Sequence, residues 1–151
     1  MKTYITVILV LIFSSSYSQN GIWIGGGLGI MATKTIEGKQ GIEPASFSFS
    51  MPVTWRKNNW LIETTPTYCG AVLWNLNGGY SIPLGGDTSL DLLAGINDAL
   101  DISTDKFQIV HRFDMNYEAR LQWRDFYCSA NKINSTYIFS IGVRCLANKT
   151  Y

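Results

Sequence analysis

The chain is poor in the residues that most often carry chemistry. Its 151 residues include one histidine, His111, which leaves little for general-base catalysis. Three cysteines, Cys69, Cys128 and Cys145, are odd in number and widely spaced. No disulfide framework or zinc spacing follows from them. One pair could bridge in an oxidising compartment, but their apolar neighbours favour small hydrophobes. Charge is scarce and balanced, with 12 Lys and Arg against 11 Asp and Glu. That excludes the basic footprint of a nucleic-acid binder, and no block of like charges marks a tail or a basic membrane patch. No internal repeat, linker or low-complexity segment is visible. The Gly-rich GGGLG run lies within a strand pattern, so it is not a phosphate loop, and no cofactor is expected.

What is present begins with a leader. Met1-Lys2 is followed by an uncharged, largely apolar run from Tyr4 to Phe13 and a small polar stretch from Ser14 to Ser18. This is the pattern of a secretory signal peptide, too short to span a bilayer. The expected division is 1–18 signal peptide and 19–151 a single domain. No cysteine follows the apolar run, which argues against a lipoprotein anchor.

No helix of normal length is visible beyond the leader. Period-two alternation instead recurs in almost every segment, and that is a strand signal. In FQIVHRFDMNYEARLQW one face is Phe107, Ile109, His111, Phe113, Met115, Tyr117, Ala119, Leu121 and Trp123. The other includes Arg112, Asp114, Glu118 and Arg120. GIWIGGGLGIM, ASFSFSMPVTW, VLWNLNGGYSI, SLDLLAGIN and YIFSIGVRC alternate in the same way. Turn chemistry falls between them, at Lys34 to Pro44, WRKNN, PLGGDT, Trp123 to Asp125 and NKINST. The parse gives eight strands. Phe126 to Ala130 is the weakest, and a turn at Asp114 to Asn116 is a competing parse of the longest.

A soluble sandwich or barrel would alternate too, with its apolar face inside. Three features point the other way. The polar face is Gly, Ser, Asn and Thr with isolated charges: Glu63, Asp91, Arg112, Asp114, Glu118, Arg120 and Arg144. Such a set suits a narrow lumen filled by side chains and paired charges. Asp114 and Glu118 share a face and could form a carboxylate site, but the interleaved Arg112 and Arg120 favour a structural ion-pair ladder. The aromatics also divide into two bands. Trp55, Trp60, Tyr80, Trp123 and Phe126 collect at one end, and Phe47, Tyr68, Trp74, Phe107 and Tyr137 at the other, like interfacial girdles. Finally, nine to eleven alternating residues match a tilted strand crossing a bilayer, and closure would satisfy every backbone group there.

With its leader, GIWIGGGLGI, GGYSIPLGG and the final YIFSIGVRC, the chain resembles the small eight-stranded bacterial outer-membrane β-barrel proteins. The resemblance spans the chain after the leader and rests on alternation. It implies an all-β, antiparallel up-and-down transmembrane barrel in outer-membrane lipid. It also implies insertion by the barrel-assembly machinery, which reads a last strand such as Tyr137, Phe139, Ile141 and Val143. A weaker resemblance is to the lipid A deacylase barrels, whose His-x-Ser pair activates serine as a nucleophile. Ser129 and Asn131 fit the matching place, but Tyr127 stands where the histidine belongs, and tyrosine is a poor base at neutral pH. The expected function is a non-enzymatic envelope-structural or surface-interaction barrel. The alternatives are a divergent deacylase-like barrel and a soluble barrel binding a small apolar ligand.

Overall fold

The computed structural model describes residues 20–33, 46–69, 72–103 and 108–149. The leader and Phe107 lie outside them, as does the expected loop from Lys34 to Pro44. Eight strands follow one another: β1 (Gly21–Thr33), β2 (46–57, laddered over Ser46–Ser50 and Val53–Lys57), β3 (Trp60–Tyr68) and β4 (Val72–Gly85). β5 (Thr88–Ser103), β6 (Gln108–Trp123), β7 (Phe126–Ile133) and β8 (Thr136–Lys149) complete the set. Each pairs antiparallel with its sequence neighbour, and β8 pairs with β1. The sheet is a closed barrel.

The eight-strand parse holds, and the competing turn at Asp114 to Asn116 does not form: β6 is unbroken through it. The strands outrun their expected ends, however. Trp55 to Lys57, Pro83 to Gly85 and Asn131 to Ile133 all continue as strand, and β8 runs on to Lys149. Turn-forming residues yield here because a closed barrel offers pairing on both sides. The connections at one end shrink to Asn58-Asn59, Gly86-Asp87 and Arg124-Asp125. Asn58 and Gly86 take positive φ there, as tight turns require.

Register fixes the size of the barrel. Ile22 pairs with Trp55, then the row passes through Ile62, Gly78, Ala94, Tyr117, Lys132 and Tyr137. Tyr137 pairs with Ala32, so the row rejoins β1 ten residues beyond its start. With strands 4.8 Å apart and rising 3.3 Å per residue, that stagger tilts them by about 40° around a backbone radius of about 8 Å. Such a lumen holds side chains and little else.

The burial pattern is inverted relative to a soluble fold. Leu28, Phe49, Ile62, Leu76, Leu92, Ile96, Phe139 and Ile141 are all exposed on the outer face. Glu63, Asp91, Asn97 and Asn116 have no exposed surface at all. Between the aromatic bands, the outward positions of the described strands carry no charge. Lys57 stands at the turn end; Asp98, His111 and Lys132 stand at the other.

Glycine makes the lumen possible on one side. Gly25, Gly27 and Gly29 point inward from β1. A Cβ on Gly25 would meet Arg144 Cγ at 2.6 Å, and one on Gly27 would meet Ser50 Oγ at 3.0 Å as well as the Tyr127 hydroxyl. Beside them β2 is interrupted at Met51-Pro52. Gly25 N donates to Pro52 O (2.8 Å), and Met51 N donates to Pro66 O (3.0 Å). Neither proline has an N–H to return, so each position keeps one ladder bond where two would form.

Gly27→Leu is expected to overpack the lumen and cost about 1–3 kcal/mol. Gly26→Leu should be close to neutral, because a Cβ there has nothing within 4 Å. Urea midpoints of the two variants refolded in micelles check the contrast.

Candidate functional site

Six charged side chains meet inside the barrel toward the turn end. Arg120 on β6 is the hub. Its guanidinium donates to Glu63 on β3 at 2.6 and 2.5 Å, and to Glu118 on its own strand at 2.7 and 3.1 Å. Glu63 also accepts from Thr54 (2.5 Å) and Thr65 (2.9 Å). Across the lumen, Arg56 on β2 grips both Asp91 oxygens at 3.0 Å. Ser81 and Ser89 donate to the same carboxylate. Arg144 on β8 lies between the two groups, 3.8 Å from Glu63 and 3.6 Å from Asp91. It donates to Gln122 Oε1 (3.1 Å) and to Thr54 Oγ1.

The positions follow from the strand period. Glu63, Asp91, Glu118, Arg120 and Arg144 all take inward parity on their strands, so closure brings them together. The cluster holds three arginines and three carboxylates, and every carboxylate accepts from an arginine. Charges so deeply buried persist only when paired and hydrogen-bonded.

Two of the expected ladder residues stand elsewhere. Arg112 has inward parity but a side chain 67% exposed, and it pairs with Asp114 at 3.1 Å. At their level β6 has passed the end of β7, whose pairing stops at Asn116↔Ile133, so the wall is missing on that side of them. Arg56 replaces them in the cluster. It was hidden by its place in WRKNN, which reads as a turn; the useful signal was its parity with Thr54 and Pro52.

The aromatic bands stand as two rims. Trp55, Trp60, Trp123 and Phe126 are exposed beside the short turns, and Phe47, Tyr68, Trp74 and Tyr137 are exposed at the other end. At about 2.5 Å of axial rise per residue, the rims are about 20 Å apart. Phe107 lies outside the described residues.

Ser129 faces the lumen and lines a small cavity with Glu118, Arg120 and Asn131. His111 points outward at the loop end, with Nδ1 2.8 Å from Asp98 Oδ2. The Ser–His arrangement of a lipid-facing acyl hydrolase is therefore not assembled, and an inward Ser129 cannot meet an acyl chain outside. No group of three or more His, Cys, Asp or Glu among the described residues is arranged to hold a metal.

Solved structures match this architecture. Ail, the attachment invasion locus protein of Yersinia pestis, aligns over 83% of this chain and 99% of its own, at 16% identity and a TM-score of 0.51. Neisserial surface protein A aligns over 83% and 97%, at 13% identity and 0.55. A de novo designed transmembrane β-barrel aligns over 84% and 96%, at 11% and 0.56. The fold is that of the small transmembrane barrels. No protein-family model and no curated protein matches the sequence.

Arg120→Met is expected to destabilise the barrel by about 3–5 kcal/mol, because Glu63 and Glu118 would face each other without a bridging cation. Adding Glu63→Gln should recover part of that loss. Arg112→Ala, at an exposed pair, should cost about 0–1 kcal/mol. Urea titration of heat-modifiable gel migration measures all three.

Proposed function

We propose that the chain is an integral outer-membrane barrel with a non-enzymatic role in surface interaction. The observation that carries this reading is the uneven loop end. β5 and β6 pair from Ser103↔Gln108 down to Thr88↔Trp123, whereas β7 joins β6 only from Asn116 onward. The β5–β6 hairpin therefore rises beyond the aromatic rim, with one edge of β6 unpaired among the described residues. Ladder parity puts the backbone groups of His111, Phe113 and Met115 on that open edge. An exposed edge is a template for adding a strand from a partner, with main-chain bonds giving affinity and side chains giving selectivity.

The membrane reading rests on the apolar outer band and its aromatic rims, which fit a hydrocarbon layer edged by interfaces. All three connections at one end are two-residue turns, while those at the other range from the two residues Asn134-Ser135 to the twelve residues 34–45; that asymmetry fits periplasmic and outer sides respectively. Tyr137, Phe139, Ile141 and Val143 face outward on β8, as a signal for the barrel-assembly machinery requires. Ail is named for attachment and invasion, and Neisserial surface protein A as a surface protein; a surface role here extends that theme to a chain sharing their fold.

The native protein is expected in the outer-membrane fraction with heat-modifiable migration. Leu92→Arg should reduce that assembled fraction, since a cation facing lipid costs up to about 2–4 kcal/mol near the midplane. Folded native protein in the soluble periplasm would refute the membrane reading. A photo-crosslinker at Phe113, on intact cells, should capture extracellular polypeptide, while the same group at Phe126 should not. Equal capture at both sites would refute the surface role.

A further inference from the structure

The charge cluster is not the only closure of the lumen. Toward the loop end the inward face turns apolar. Cys69, Leu73, Ile133 and Ile138 form a buried cluster, with Met31 and Ala99 packed against it. These side chains come from β1, β4, β5, β7 and β8 and from the end of β3, so they converge from most of the circumference rather than line one wall. Leu73, at 9%, is the most exposed of the four buried members, and Ile138, at 3%, the least.

Between the two closures lies a tier of uncharged polar side chains. Asn97 donates to Asn75 (2.7 Å) and Asn116 donates to Asn77 (2.8 Å). Ser48 Oγ and the Oδ1 atoms of Asn97, Asn116 and Asn131 are buried with no protein partner. A cavity of about 20 Å³ opens beside Asn131 and Ser129, large enough for about one water. Most of the unpartnered polar atoms thus lie in mid-lumen, although Arg56 Nε and Arg144 Nε in the charge cluster are also without a partner; a neutral, ion-paired cluster stands on one side and an apolar plug on the other.

We propose that the lumen is closed by two independent seals of opposite chemistry, so that the barrel is non-conducting and stays so when either seal alone is broken. An ion approaching from the turn end meets guanidinium and carboxylate groups already committed to one another. From the loop end it must shed water to enter an apolar constriction, which closes a pore by dewetting. The two seals share no residue. The inference rests on the reading of the chain as a membrane barrel.

Conductance of the refolded full chain in planar bilayers tests the proposal, with heat-modifiable migration confirming folding of each variant. Native protein, the lower-seal variant Glu63→Ala/Arg120→Ala and the plug variant Leu73→Ala/Ile138→Ala should each pass no current. The lower-seal change keeps the cluster neutral. The fourfold variant should conduct. Current through either double variant, or silence of the fourfold one, overturns the proposal. Cys69 supplies a second measurement that does not depend on the fourfold variant folding. In a Cys128→Ser/Cys145→Ser background, a charged maleimide should leave Cys69 unlabelled in the native lumen and in the lower-seal variant, and should label it in the plug variant. Labelling in the first two, or protection in the third, overturns the plug. Failure of the native chain to reach the outer membrane would instead count against the membrane reading itself.

Discussion

The charged interior of this barrel is arranged around one guanidinium. Arg120 faces two carboxylates in a space about 8 Å in backbone radius, where neither an unpaired cation nor an unpaired anion is tolerable. Its bonds reach β3 and return to β6, while Arg56 and Arg144 tie β2 and β8 to the carboxylates of β3 and β5. Strand β1 contributes no charge at this level. It contributes space, because Gly25 leaves room for the Arg144 stem. Composition that reads as flexible glycine on one strand is thus the counterpart of bulky arginine on another.

The outside obeys a different constraint, and the two are linked through parity. A strand presents alternate residues to the two solvents it separates, so a charge cannot be moved by one position without crossing the wall. This explains why the outer band tolerates Ile, Leu and Phe in quantity yet holds its charges to the rims. It also explains why the His111–Asp98 pair lies at the loop end, where an outward polar pair can remain exposed.

Much of this was legible in the sequence because the inversion leaves a trace: the polar face was too small and too evenly charged for a solvated sheet. Glu63, Asp91, Glu118, Arg120 and Arg144 could be assigned inward on parity alone. Parity does not say where the wall ends, so Arg112 and Asp114 read as inward with the others although β7 has already stopped at that level. Arg56 stands in a charged stretch that reads as a turn, although it lies in strand. The apolar plug leaves a quieter signal. Val72-Leu73-Trp74 and Tyr137-Ile138-Phe139 are apolar on both parities, and a run that breaks alternation at the end of a barrel strand marks a lumen going dry rather than a strand losing its pattern. The open edge of β6 needed the register itself, since the difference in height between hairpins depends on the stagger around the barrel and not on any one strand.

The interruption of β2 gives the wall a grain. Pro52 leaves the Gly25 carbonyl without its return bond on one side of the strand, and Pro66 does the same to Met51 on the other. The two deficits sit at neighbouring levels, on opposite edges of one strand. A sheet closed into a cylinder has no natural free edge, but it can have a weakest stave. Under load, whether from heat or from lateral tension in a bilayer, the cylinder should open along β2, with the Arg56 and Thr54 contacts below the break acting as the clasp that resists it.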